Sequence, residues 1–414
     1  MKKCFKVVLV LILTLCSVFA LAGCFKHNDT NDDGGNEDGD DSGSKVKVGL
    51  ICLHDESSTY DKNFIDSMYR ALEQLGLSKK DLELATGIGE SNDCYEKACE
   101  LASTCDIVFA DSFGHEPHML RAARENPDTI FCHATGTQAH TAGLANYYNA
   151  FASIYQGRYL AGIAAGMKLN EMIAAGKFSA SQAKVGYVGA FPYAEVVSGY
   201  TSFFLGVRSV CPTATMEVRY TGSWYDYDKE FAAANALIQG GCKLISQHAD
   251  SYGAPTACEN ANVPNVTYNG TTVEKCPNTY VVSSKIDWTP YYVKMITAVM
   301  NGEKVNEKDY VGTLTTGSVK LDEVGTCAAA GTQEAINRAV AELNANRLHV
   351  FDVSTFTVNG APVTSYLADV DDAGDFVGET EVIANGYFHE SEYRSAPYFD
   401  LRIDGITELN PNLD

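Results

Sequence analysis

Polar and aromatic side chains recur in short runs directly after apolar, β-branched stretches of this chain. The first run is 55–64, DESSTYDKNF, with Tyr60 as a candidate contact. It follows the apolar residues Val46, Val48, Leu50, Ile51 and Leu53. The others are Asp111-Ser112-Phe113-Gly114-His115, Ser223-Trp224-Tyr225-Asp226, Gln247-His248-Ala249-Asp250-Ser251 and Tyr268-Asn269-Gly270. Carboxylates, hydroxyls, amides and flat rings in such company hold a small molecule by its edges and faces. They are not arranged for bond-making. Zinc deaminases need a His- or Cys-x-Glu run with Pro-Cys-x-x-Cys. Serine hydrolases of the α/β type need a Gly-x-Ser-x-Gly elbow, and nucleotide hydrolases a Walker loop. The chain contains none of these. Gly87-Ile88-Gly89 lacks a third glycine at the right offset, so it is turn chemistry. His133 and His140 have no partner at metal or triad spacing, and Asp55 and Glu56 are neighbours in a solvated loop. The expectation is a binder rather than an enzyme, with no cofactor and no metal site.

The elements that must position these runs alternate. After the strand at 46–53, Phe64, Met68, Tyr69, Leu72 and Leu75 recur at helical spacing. Strand and helix then alternate to about residue 148, which predicts one doubly wound lobe. A helix at 150–169 carries Gly157, Gly162 and Gly166, a spacing that predicts close packing on a neighbour. At Lys184 the strand–loop–helix order restarts, which predicts a second lobe of similar topology. The fold class is α/β: two doubly wound parallel-sheet lobes with a hinge. Ligands of such sheets gather at the strand C-termini, where each polar run lies. Further along, 311–321 reads as one strand, 332–345 as a helix and 350–358 as a strand. The expected division is an N-terminal lobe of 45–148 with about 284–305, and a C-terminal lobe of 149–283 with about 306–360. The loop-rich stretch 361–414 has no clear place.

The ends and the charge narrow the setting. Lys2, Lys3 and Lys6 precede an apolar run at 7–20 that is short for a membrane span, so 1–23 reads as a signal peptide. Leu21-Ala22-Gly23-Cys24 resembles the bacterial lipobox, which implies cleavage before Cys24 and lipid attachment to it. Acyl chains contribute about 0.8 kcal/mol per buried methylene, enough for a durable membrane anchor. Residues 24–44, rich in Asp, Gly and Asn, read as a flexible acidic tether. The net charge of −22 argues against nucleic acid as a partner. Of thirteen cysteines, ten lie beyond Cys24 without a Cys-x-x-Cys pair. Most sit in apolar runs and read as free core thiols.

Several segments together resemble the basic membrane protein family of lipoproteins, the substrate-binding components of ABC importers for purine nucleosides and related purines. They are Asp61-Lys62-Asn63-Phe64, Ser112-Phe113-Gly114, Tyr155-Gln156-Gly157-Arg158-Tyr159-Leu160-Ala161-Gly162, Gly186-Tyr187-Val188-Gly189 and Trp288-Thr289-Pro290-Tyr291-Tyr292. The likeness covers about 46–302 and, more weakly, the chain to about 358. It implies the type I periplasmic-binding-protein fold with three crossings between lobes. It implies that Phe64 stacks on a purine and that Tyr147 touches ligand from the first crossing. Ser112 and Asn269 are then polar contacts. Ile65 and Gly270 stand where nucleoside-binding members carry Asn and an acidic residue, which weakens the case for ribose. Trp224 and the run ending at Asp250 resemble a subgroup associated with adenine. Asp250 has a second reading as the N-cap of a helix at 252–260.

The function expected from this is a lipid-anchored, extracytoplasmic monomer that captures a purine base or nucleoside and hands it to ABC permease subunits. The alternatives are a sensor lipoprotein that presents its ligand to a receptor, or a binder of another planar heterocycle or a sugar.

Overall fold

The structure is a computed structural model that describes residues 46–370 and 377–413. The expected signal peptide, Cys24 and the acidic tether lie outside the described residues. The first sheet is built from β1 (Val48–Ile51), β2 (Leu82–Ala85), β3 (Ile107–Ala110), β4 (Ile130–Ala134) and β5 (Tyr147–Ala152), with helices α1 (Thr59–Gln74), α2 (Asn92–Ala102) and α3 (Glu116–Glu125) between them. β1, β3 and β5 are buried along their whole length, as parallel strands covered on both faces must be. Ser58 caps α1 by accepting from the Asp61 amide, and Phe64, Ile65, Met68, Ala71 and Leu72 form its inward stripe.

After β5 the chain crosses into α4 (Ile154–Ala174) and a second sheet. That sheet holds β6 (Lys184–Gly189), β7 (Thr215–Tyr220), β8 (Leu244–His248), β9 (Asn265–Tyr268) and β10 (Tyr280–Ile286). Between them run α5 (Ala194–Val210), α6 (Tyr227–Gln239) and α7 (Gly253–Ala261). The glycines of α4 act as their spacing predicts. A Cβ on Gly162 would lie 2.1 Å from the Phe203 carbonyl oxygen, and one on Gly206 would lie 2.1 Å from that of Tyr159. Only glycine lets α4 and α5 approach this closely.

The chain then returns. α8 (Thr289–Met300) packs on α1, and β11 (Asp309–Gly312) pairs with β5 at the edge of the first sheet. β12 (Val319–Leu321) goes back to the second sheet, antiparallel to β10, and α9 (Thr332–Asn344) lies on α4. The strand orders are β11-β5-β4-β3-β1-β2 and, in the second sheet, β12-β10-β9-β8-β6-β7. The three crossings follow β5, β10 and β11. Asp287, at the second, accepts from Arg70 at 3.1 Å and from Lys320 at 2.6 Å, joining the first-lobe helix to the returning strand.

Three expectations are corrected here. The single strand at 311–321 is two strands in different sheets, because the turn Thr313 to Gly317 carries the chain across. The segment at 309–312 therefore belongs with the first sheet, not with the C-terminal lobe. Residues 350–358 form turns with isolated bridges rather than a strand.

The unplaced tail lies largely on the second lobe. It forms two small hairpins, β13 (Leu367–Ala368) with β14 (Thr380–Glu381) and β15 (Ile383–Ala384) with β16 (Tyr387–Phe388). Its last strand, β17 (Ile406–Glu408), joins the second sheet beside β7.

Candidate binding site

The C-terminal ends of β1 and β3 face those of β6 and β8 across a gap. Leu53, His54, Tyr60, Asp61, Ser112, Phe113 and Thr135 line it from the first lobe, and Glu195, Trp224, His248 and Asp250 from the second. The gap is closed. The Thr59 amide donates to the Asp250 carbonyl at 2.9 Å, the Thr59 hydroxyl donates to the same oxygen at 3.1 Å, and His54 packs on Tyr225 at 5.3 Å. The remaining cavity is about 20 Å³, room for roughly one or two waters. A bicyclic ring enters only when the lobes or their side chains move apart.

The first-lobe wall is bonded to itself. The His54 amide donates to Asp61 at 2.7 Å, the Tyr60 hydroxyl to the Asp111 carbonyl at 2.7 Å, and the Ser112 hydroxyl to Glu90 at 2.6 Å. Burial works to raise the Asp61 carboxyl, but hydrogen bonds from His54 and Ser58 outweigh it and hold it below its usual range. Asp111 is the opposite. Burial and the nearby Asp61 charge push it well above the carboxylate range. Among the described residues Cys52, Asp61 and Asp111 offer ligand atoms within 4.8 Å of one another, a grouping that sequence spacing did not reveal.

The second-lobe wall is looser. His248 Nε2 lies 3.3 Å from Glu195, while its Nδ1 is buried without a partner. The Arg158 guanidinium lies 3.5 Å over the Tyr268 ring and donates through Nη1 to the Gln247 carbonyl at 3.0 Å, with Nε and Nη2 unpartnered. Asp250 is pushed up by burial and then by the Glu230 and Asp61 charges. It does not cap α7: Tyr252 stands at the N-cap without a side-chain cap bond, and the Ser251 hydroxyl before it accepts from the Gly253 amide at 3.0 Å. Trp224 meets Phe191 edge-on at 5.1 Å.

Four of the residues singled out in the sequence come together here: Tyr60, Ser112, Trp224 and Asp250. Three do not. Phe64 is 1% exposed and stacks on Trp288 at 4.3 Å, in the core behind Tyr60. Tyr147 is buried, and its hydroxyl donates to Glu116 at 3.3 Å on the far side of β5. Asn269 turns the chain after β9 with φ +63°, its backbone N–H donating to the Ser284 carbonyl and its side-chain Nδ2 buried without a partner, and it is not among the residues lining the cavity. Thr135 and Glu195 were not anticipated. Glu195 had one available signal: it opens the helix after β6, the counterpart in the second lobe of the α1 junction.

A family model described as ABC transporter substrate-binding protein, PnrA-like, matches residues 48–346. The chain belongs to that family. Members are substrate-binding components of ABC transporters and not enzymes. A protein of Brucella abortus named as purine-binding is 31% identical over 67% of this chain and 75% of its own length. A putative ABC transporter glucose-binding protein of Haloferax volcanii is 30% identical over 75% of this chain and 72% of its own. Among solved structures, an ABC solute-binding protein from Conexibacter woesei matches with TM-score 0.60 at 20% identity, over 73% of this chain and 98% of that one. One from Aeropyrum pernix matches with TM-score 0.63 at 13% identity, over 74% and 93%. These place the fold among the periplasmic solute-binding proteins. The PnrA-like match ends before the tail. No helix among the described residues is long and apolar enough to cross a membrane.

Proposed function

We propose that this PnrA-like protein captures a purine base or nucleoside between its lobes and delivers it to an ABC permease. The observation that carries this is the pairing of Tyr60 and Trp224, from opposite lobes, around one cavity at the strand ends. Flat rings on two walls suit a flat heterocycle. Its edge meets Asp61, Glu195 and Asp250, with Ser112 and Thr135 beside them. Three carboxyl groups and, among the described lining residues, no lysine or arginine favour a ligand rich in N–H donors and disfavour a phosphate. Purines with exocyclic amines fit that balance. Cys24 is the proposed lipid anchor that keeps the protein at the outer membrane face near its permease.

A monosaccharide is the second reading, favoured by the relative named as glucose-binding. Thermal unfolding with adenine, guanine, hypoxanthine, their nucleosides and glucose separates the two. Binding at about a hundred times Kd adds about 2.7 kcal/mol of stability. A response to glucose and to no purine would reject the purine reading. For the anchor, radiolabelled palmitate should enter the wild-type chain in a lipoprotein-processing host and not Cys24→Ala.

A further inference from the structure

By its packing the tail belongs to the second lobe. Phe388, Tyr398, Phe399 and Leu401 share the buried core of α4, α5 and β6. Phe399 stacks on Phe351 at 4.2 Å, and the Ser198 hydroxyl of α5 donates to Glu390 at 2.5 Å. Between those two anchors the chain reaches the first lobe. The Ser395 amide and hydroxyl both donate to Oδ1 of Asp309 on β11, at 2.9 Å and 2.8 Å. The other oxygen of Asp309 lies 3.3 Å from Nδ1 of His140, in the first-lobe loop between β4 and β5. One carboxylate is thus held by its own lobe and by the tail. The tail lies beyond the 48–346 match, so this tie is an addition to the family's common part.

We propose that segment 390–399 is a strap across the cleft, which holds the lobes together in the free protein and releases Asp309 when they part. The strap acts on the lobes whatever the cleft holds, so it goes beyond the purine reading.

Its path leaves no slack. Glu390, Ser395 and Phe399 are all buried, and Ser391 sits at φ +60°, in the left-handed region that residues other than glycine avoid. Asp309 opens β11 at the end away from the crossing that follows Gly312, so it moves with the first sheet. Rigid-body opening therefore carries Asp309 away from a segment anchored on the other lobe at both ends. Two hydrogen bonds to a carboxylate must break, and bonds to an ionised acceptor are the strong kind. The strap also runs along the flank of the gap. Tyr398 shares a space of about 550 Å³ with Phe113 and Thr137 of the first lobe and Tyr193 of the second.

Hydrogen exchange of the ligand-free full chain, resolved to single amides, tests this. The Thr59 amide opens α1, where no helical carbonyl can serve it, and its partner is the Asp250 carbonyl across the cleft. Its exchange therefore reports parting of the lobes, while amides of β3 and β8 report the cores. Asp309→Ala should speed exchange at Thr59 about tenfold, and Ser395→Ala, which keeps the amide bond, about threefold, with β3 and β8 at wild-type rates. A wild-type rate at Thr59 in both variants would overturn the strap. So would equal acceleration at Thr59, β3 and β8, which marks a general loss of stability. Should Asp309→Ala fail to fold, Ser395→Ala decides alone by the same readout.

Discussion

On the first-lobe side of the cleft several polar groups hold one another, although Thr135 Oγ1 and Asp111 Oδ2 are buried without partners. Asp61 is fixed by His54 and Ser58, Tyr60 by the Asp111 carbonyl and Ser112 by Glu90. Across the gap, His248 Nδ1 and two nitrogens of Arg158 are buried without partners, and Trp224 rests on Phe191 and Tyr193 at a half-buried site. The first wall is the more internally bonded, and the second keeps more buried nitrogens without partners at or behind its surface. The lesson is a division of labour. Changes in the first wall should be read mainly in stability, and changes in the second mainly in affinity.

The largest expected effect lies behind the first wall. Phe64→Ala removes a ring packed between Tyr60 and Trp288, and should cost about 3–5 kcal/mol in denaturant unfolding. If affinity fell and stability did not, Phe64 would be a ligand contact after all. Next is Asp61→Ala, which strips acceptors from His54 and Ser58 neighbours and should cost about 1.5–3 kcal/mol. Trp224→Ala should do the reverse, lowering purine affinity about tenfold in calorimetry while shifting stability by less than about 0.5 kcal/mol. The smallest effect is at the latch. Thr59→Val removes the hydroxyl bond to Asp250 and keeps the amide bond, so the ligand-free closed state should weaken by about 0.5–1.5 kcal/mol. A larger radius of gyration in solution scattering of the free protein would report it.

Proton uptake sharpens the same contrast. Glu230, behind Asp250, is pushed up to about 7 by burial, against hydrogen bonds from Ser251. In the unfolded chain it ionises near 4.3. Between those values the folded state holds the extra proton, so stability rises as pH falls from about 8 toward 5. Glu230→Gln should flatten that rise in thermal scans. Asp61 has the opposite sign. Its folded value is depressed, so its contribution is present above about pH 4 and is lost as pH falls through the folded value.

Much of this arrangement could be read from residue order. The apolar run into β1 and the glycines of α4 marked a strand and a close helix crossing, because each leaves a local trace. Phe64 lies elsewhere in this closed structure than the family resemblance implied, stacked on Trp288. It shares a helical stripe with Met68 and Leu72, and that periodicity already pointed inward; the cleft residue is Tyr60, one turn earlier. The split of 311–321 was hidden, since its alternation runs through the turn that separates two sheets. Glu195 and His248 lie 53 residues apart, and only the pairing of β6 with β8 brings them together. Asp61 and Asp111 are likewise joined by the β1–β3 pairing, with nothing in their spacing to announce it.

The last strand has a consequence for how the molecule is made. β17 pairs with β7 in register Ile406 to Met216, across 190 residues of chain. Contacts of such long range form late and slow a fold's completion. A growing polypeptide therefore presents β7 as a bare sheet margin until residues 406–408 emerge. During that interval the margin is open to a chaperone or to pairing with another copy, and a truncation before Ile406 would leave it permanently uncovered.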